Sequence, residues 1–209
     1  MKIAVVAANG RVGKLIVKEA LDRGLDVTAF VRGENKTAAK KSVSKDIMDL
    51  TAADLQGFDV VVDAFGAWTP DTLDGHVQTS QHLCDLLSGT DTRLLIVGGA
   101  GSLYVNAEHT AQVKDGPDFP AEYVPLANAQ GKELEELRKR SDVKWTFISP
   151  AADFQAESER TGKYILGGEE LTLNAKGESV ISYADYAIAM VDELEKGDHI
   201  GQRISVVRE

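Results

Sequence analysis

Short apolar runs alternate along the chain with stretches in which apolar residues recur at helical spacing, and this alternation continues from end to end. Such a pattern predicts a parallel sheet with helices on both faces, because strands buried on each side read as continuous apolar runs. Residues 2–7 (KIAVVA) form the first predicted strand. A helix over residues 12–23 follows, with Val12, Leu15, Ile16 and Ala20 on its core side and Gly24 closing it in the left-handed region. Residues 26–31 give the second strand, residues 37–41 a short helix and residues 43–45 a weak third strand. One helical turn capped by Thr51 precedes a fourth strand at 60–65. A helix over 73–87 closes near Gly89, and RLLIVGG from Arg93 is the fifth strand. A charged helix over 125–140 turns Leu126, Leu134 and Leu137 inward, and KWTFISP is the sixth strand. After Pro150 come several short strand-like pieces, then a helix over 184–195 and a last strand at 203–207. The expected organisation is a single doubly wound domain, with a core over 1–150, a substrate-side insertion over 151–183 and a closing helix and strand over 184–209.

Composition narrows the class. The chain has 209 residues, 43% of them hydrophobic, which suits one sizeable core, and no apolar run long enough to cross a bilayer. The opening apolar stretch is too short for a secretory signal and reads as a strand. The single cysteine, Cys84, cannot form an internal disulfide, so a cytoplasmic location is expected. With 33 acidic against 23 basic residues the net charge is −10, which argues against nucleic acid as a partner. The lysines at 36, 40, 41 and 45 read as a solvated surface. The expected partner is a small molecule, with the chain acting as a monomer or homodimer.

The turn between the first strand and helix, AANGRVG, fits G-x-x-G-x-x-G with Ala7, Gly10 and Gly13 at its three small positions. Placed between a strand and a helix, such a turn lets backbone amides approach a pyrophosphate at the positive helix end. Ala8, Asn9, Gly10, Arg11, Val12 and Gly13 are therefore cofactor-binding candidates. The second strand ends in Arg32, where sites selective for NAD carry an acid; a guanidinium suits a 2′-phosphate, and Arg11 offers a second cation. NADP(H) is thus expected ahead of NAD(H). Asp46 and Ile47 are placed beside the adenine, and Ala64, Phe65 and Gly66 along the nicotinamide ribose. Trp68 and Tyr104 lie in rim loops where an aromatic acceptor could stack. The four histidines show no metal spacing; His109 is a candidate proton donor, and His76, His82 and His199 read as helix-surface or loop residues.

AANGRVG, VRG, KDIMD, VVVDAFG, RLLIVGGAGSL, WTFISPAADF and ERTGKYILGGEELTLNAKGESVISYADYAIAMVDELE together resemble the atypical short-chain dehydrogenase/reductases. The nearest branch is the bacterial NADH-flavin-reductase-like group, related to NmrA-like proteins and biliverdin reductase B. The resemblance spans essentially the whole chain and implies a Rossmann-type fold, NAD(P)H as cofactor and a flavin or other quinoid acceptor as substrate, not as a bound group. It also implies that Ser149, Pro150 and Ala151 contact the nicotinamide amide through their backbone. Ser102 in GGAGS is the candidate hydroxyl for the carboxamide or the acceptor. The chain departs from typical members in lacking Y-x-x-x-K: Glu108 stands four residues after Tyr104, Ala127 four after Tyr123, and no tyrosine stands four before Lys132. Hydride transfer to a delocalised ring depends more on orientation than on a positioned acid, so a reductase remains consistent with that loss. The alternative is a non-catalytic NADP(H)-sensing regulator.

Overall fold

The computed structural model describes residues 1–209. Strands β1 (Lys2–Val6), β2 (Asp26–Val31), β3 (Lys41–Ser44), β4 (Val60–Asp63), β5 (Arg93–Val97), β6 (Lys144–Ser149), β8 (Tyr164–Gly167) and β10 (Gln202–Arg208) form one sheet in the order β3-β2-β1-β4-β5-β6-β10-β8. All neighbours are parallel except β8, which runs antiparallel along the outer edge of β10. The order reverses between β1 and β4, so the loops leaving these two strands diverge and open a crevice at their carboxyl ends.

Alternation along β1 sets the two cores. Ile3 and Val5 pack with Ile16, Val17 and Tyr186 beneath helices α1 (Arg11–Asp22) and α5 (Tyr183–Lys196). Ala4 and Val6 face the opposite layer with Leu83, Leu134 and Leu137, contributed by α3 (Gly75–Leu87) and α4 (Val124–Leu137). A single turn, α2 (Ala52–Leu55), starts at Thr51, where Asp54 Oδ2 accepts from the Thr51 amide at 2.7 Å. Ser182 caps α5 by accepting from Asp185 N, and Gly197 ends it at φ 71°.

Several elements differ from the pattern-based expectation. No helix forms over 37–41, because Asn35 Oδ1 accepts from Thr37 N and Oγ1 while its amide donates to Ala39 O, replacing helical bonds. Strand β4 stops at Asp63, since Asp63 Oδ1 turns back to accept from Phe65 N at 2.9 Å. Helix α3 begins at Gly75, not at residue 73. Helix α4 ends at Leu137, and Leu126 is only half-buried; Ala127 and Gly131 take the inward turn.

Within the insertion, β7 (Asp153–Gln155) and β9 (Val180–Ser182) pair in parallel as a separate ribbon, while β8 joins the main sheet. The irregular segment between β7 and β8 is fixed by Asp185, which is fully buried and accepts from Thr161 N (2.9 Å), Thr161 Oγ1 (2.9 Å) and Gly162 N (2.8 Å). Asp185→Ala strands these donors and is expected to cost roughly 2–4 kcal/mol in urea denaturation. Limited proteolysis should then cut first within residues 156–163.

Candidate functional site

The β1–α1 turn is built by close backbone approach. A Cβ on Gly13 would lie 2.9 Å from Ala8 O and 3.0 Å from Ala7 O, so only glycine lets the helix start against the strand. Ala7 stands at φ 55°, in the left-handed region, and its carbonyl accepts from Gly10 N at 3.1 Å. Gly10 caps α1 without a side chain, and the first helical bond runs from Lys14 N to Gly10 O. The amides of Asn9, Arg11, Val12 and Gly13 consequently have no acceptor within the protein. Four free N–H groups at a helix start favour a phosphate by direct donation and by the helix dipole. The donor set and the absence of side chains over it fit a dinucleotide pyrophosphate. The opposite wall is close: a Cβ on Gly10 would come 3.9 Å from Ala64 O at the end of β4.

Asn9 joins this turn to the loop after β2. Its Nδ2 donates to Glu34 O at 2.8 Å and its Oδ1 accepts from Lys36 N at 2.8 Å. That clip fixes the loop carrying Arg32. Arg32 and Arg11 are exposed and make no ion pair or hydrogen bond, whereas every other arginine makes at least one. Asp46 accepts from Met48 N at 3.0 Å, and Ile47 is buried.

Beyond β4, Ala64 and Gly66 keep their backbone on the crevice, but the Phe65 ring does not line it. It packs edge-on to His76 at 5.4 Å and fills the space a Cβ on Gly75 would occupy. His76 itself is buried, contrary to the surface position its sequence context suggested. Its Nε2 lies 3.3 Å from Ala67 O. Because a carbonyl only accepts, Nε2 carries the hydrogen, leaving Nδ1 bare and 3.7 Å from Glu133 Oε2. Burial and the neighbouring Asp63 carboxylate hold the Glu133 carboxyl well above its usual range. Burial likewise pushes Asp63 up to about 6 and holds His76 below its ordinary value. A neutral imidazole facing a protonated carboxyl is the form these causes favour. The group backs the whole 64–68 loop, at whose tip Trp68 stands 64% exposed.

The turn after β5 is packed as tightly. A Cβ on Gly98 would meet the Phe147 ring at 2.2 Å, and one on Gly101 would meet Ala127 Cβ at 2.5 Å. Ser102 is buried and accepts from Arg203 Nη1 at 3.0 Å. Arg203 also donates to Glu169, and its side chain is fully buried. Ser102 is therefore tied into the protein and is not a free hydroxyl on the rim. Tyr104 does not offer the open ring face expected of it: His109 stacks on it at 4.2 Å. His109 Nε2 is engaged by Glu170 Oε1 at 2.6 Å, which places it in the outer wall. Ser149, Pro150 and Ala151 are all buried, and Ser149 Oγ has no hydrogen-bond partner. The expected positions at the ends of β1, β2, β3, β4 and β6 share one edge of the sheet. The sequence reading missed the His76–Glu133–Asp63 group, the Asn9 clip, and Lys114, whose Nζ donates to Asn128 on α4 at 2.8 Å.

Two outcomes follow from this geometry. Ala7→Gly should raise stability by about 1 kcal/mol by relieving the left-handed alanine, while Gly13→Ala should lower it by roughly 1–3 kcal/mol. Denaturant midpoints of both variants check the pair. Glu133 binds its proton more tightly folded than unfolded, where it titrates near pH 4.3, so its stabilising contribution is full below about pH 4 and falls as pH rises through the raised folded value. Glu133→Gln has no such loss; its denaturation midpoint should therefore gain on the wild type as pH is raised from about 5 to about 8.

Similarity to known proteins agrees with this geometry. A family profile described as NAD(P)H-binding matches residues 7–196. The uncharacterized protein YwnB of Bacillus subtilis (strain 168) is 46% identical, with 100% of this chain and 99% of the relative aligned. Among solved structures, SP1627 of Streptococcus pneumoniae TIGR4, described as a "putative NADH-flavin reductase", is 56% identical with a TM-score of 0.98 over 100% of both chains. A Bacteroides thetaiotaomicron protein described as a "putative epimerase" is 34% identical with a TM-score of 0.86, over 99% of this chain and 96% of that one. With the profile matching residues 7–196, from the β1–α1 turn to the end of α5, the chain belongs to the NAD(P)H-binding family.

Proposed function

We propose that the protein is an NADPH-dependent reductase of the atypical short-chain dehydrogenase type, passing hydride to a flavin or similar conjugated acceptor without a Tyr-Lys proton relay. The observation that carries this reading is the unpaired amide cradle at the β1–α1 turn, flanked by two arginines that make no ion pair or hydrogen bond, Arg11 standing over the Tyr183 ring at 5.8 Å. The bound nicotinamide supplies the hydride. The chain's own part is to bind and orient: Asn9, Arg11, Val12 and Gly13 donate to the pyrophosphate, and Arg32 with Arg11 meets the 2′-phosphate. Asp46 and Ile47 border the adenine, Ala64 and Gly66 border the ribose, and backbone atoms of residues 149–151 hold the carboxamide.

Helix α4 carries no tyrosine, and at the place a relay would occupy, Asn128 is held by Lys114. The phenol of a Tyr-Lys relay has no counterpart on this helix, which favours an acceptor that does not depend on one. A conjugated ring spreads the incoming charge and takes its proton from water, so proximity supplies the main catalytic term. The similarity to SP1627, described as a "putative NADH-flavin reductase", supports the same acceptor class.

The test is oxidation of NADPH and NADH followed at steady state with flavin and quinone acceptors, beside calorimetric cofactor binding. Turnover with NADPH preferred is the expected result. Tight binding without turnover for any acceptor would leave a sensor in its place. Arg32→Ala should weaken NADPH about 10-fold or more while changing NADH little, since one charge-assisted phosphate contact is worth about 1.5–3 kcal/mol.

A further inference from the structure

A cleft of about 270 Å³ lies between the β4–α3 loop and the start of α4. Trp68, Pro70 and Leu73 form one wall, and Tyr123, Pro125 and Leu126 the other. Trp68 is 64% and Tyr123 49% exposed, so two large rings stand in water beside an apolar floor. Two prolines restrict the backbone of the walls, which keeps the opening shaped before anything enters. The cleft lies on the loop that leaves β4 past Ala64: a Cβ on Gly66 would lie 3.7 Å from Trp68 Nε1, so the indole sits over Gly66.

Its charge is one-sided. Residues 64–76 and 115–131 contain no lysine or arginine, yet hold Asp71, Asp74, Asp115, Asp118 and Glu122. Glu122 lines the cleft itself. Lys114 and Lys132 flank the second segment, Lys114 turned to α4, where its Nζ donates to Asn128, and neither lines the cleft. A planar apolar ring gains stacking and burial here, whereas a phosphate carried beside it meets Glu122 on one wall, with Asp71 and Asp74 in the segment that forms the other.

We propose that this cleft is the acceptor subsite and that it selects uncharged planar rings, quinones and unphosphorylated isoalloxazines, against acceptors bearing a phosphate. The inference rests on the reductase reading for its turnover but not for its binding. The ring enters between Trp68 and Tyr123 with its reactive edge toward Gly66, and the acid rim turns away FMN.

Two measurements separate the two claims. Quenching of riboflavin fluorescence reads binding alone: wild type should quench it, Trp68→Ala should weaken it about 10-fold, and no quenching by the wild type overturns the subsite whatever the activity. Steady-state NADPH oxidation should show riboflavin and menadione favoured over FMN about 10-fold in kcat/KM at low salt, narrowing as salt screens the rim. Glu122→Lys should narrow the gap too, by improving FMN. Trp68→Ala should raise the acceptor KM about 10-fold and leave NADPH affinity as it was. FMN used as well as riboflavin at low salt, or an acceptor KM indifferent to Trp68→Ala, sinks the subsite and leaves the reductase standing. A dimer that Trp68→Ala dissociates in sedimentation would show that a second copy covers the cleft, which also overturns it. Riboflavin bound without any turnover would sink the reductase alone. Both positions are exposed, and thermal melts of the variants confirm that they fold.

Discussion

Helix α1 starts closer to strand β1 than any side chain permits, and the rest of the carboxyl edge follows from that approach. With Gly13 set 2.9 Å from Ala8 O by its missing Cβ, the chain has no room for a longer connection. The turn must be short, and Ala7 takes a left-handed φ to make it. A short turn capped by Gly10 has no side chain to satisfy the first helical amides, so they remain open. One packing constraint thus produces both the strain and the free donors. It also brings Ala64 O within reach of Gly10, which narrows the crevice from the β4 side.

The loops around this edge have little regular structure and are positioned by buried polar side chains. Asp185 holds the insertion, Arg203 joins Ser102 to Glu169, and His76 with Glu133 stands behind the 64–68 loop. Burying such groups costs solvation, and two of the oxygens, Asp63 Oδ2 and Glu133 Oε2, find no partner. A proton on Glu133 lowers that cost by removing the charge that burial penalises most. What these residues contribute is a defined loop geometry more than net stability.

The sheet and its helices were legible because burial on both faces leaves continuous apolar runs, and helix packing leaves a period near 3.6. The glycine turn was legible for a different reason: close approach admits only small residues, and their spacing shows in the sequence. Where the reading failed, a side chain had replaced a backbone bond. Asn35 broke the helix over 37–41, and Asp63 ended β4 early. His76 has no local mark of burial, since its partners, Ala67 O and Glu133, come from a loop and from a helix 57 residues on, and helical periodicity reports a face without its contents. Tyr104 was expected in a rim loop with a free ring face, but that His109 stacks on it follows only from the three-dimensional arrangement.

Charge divides the carboxyl edge in a way composition hides. A net charge of −10 suggests a surface hostile to any anion. Yet the two arginines without an ion pair or hydrogen bond, Arg11 and Arg32, stand at the ends of β1 and β2, while the cleft between the β4–α3 loop and α4 is lined by exposed rings and Glu122. A dinucleotide has its negative charge in the phosphates and at the adenosine end, and its nicotinamide ring is flat. Laid across the switch point, such a molecule has one favourable direction, phosphates to the arginines and ring toward Trp68, and the reversed direction sets anions against Glu122. On the proposed reading, the gradient that would orient the cofactor would also filter what approaches its reactive end. Orientation and selectivity would then come from one charge pattern, which suits the proposed transfer, where holding the rings in place is the main requirement.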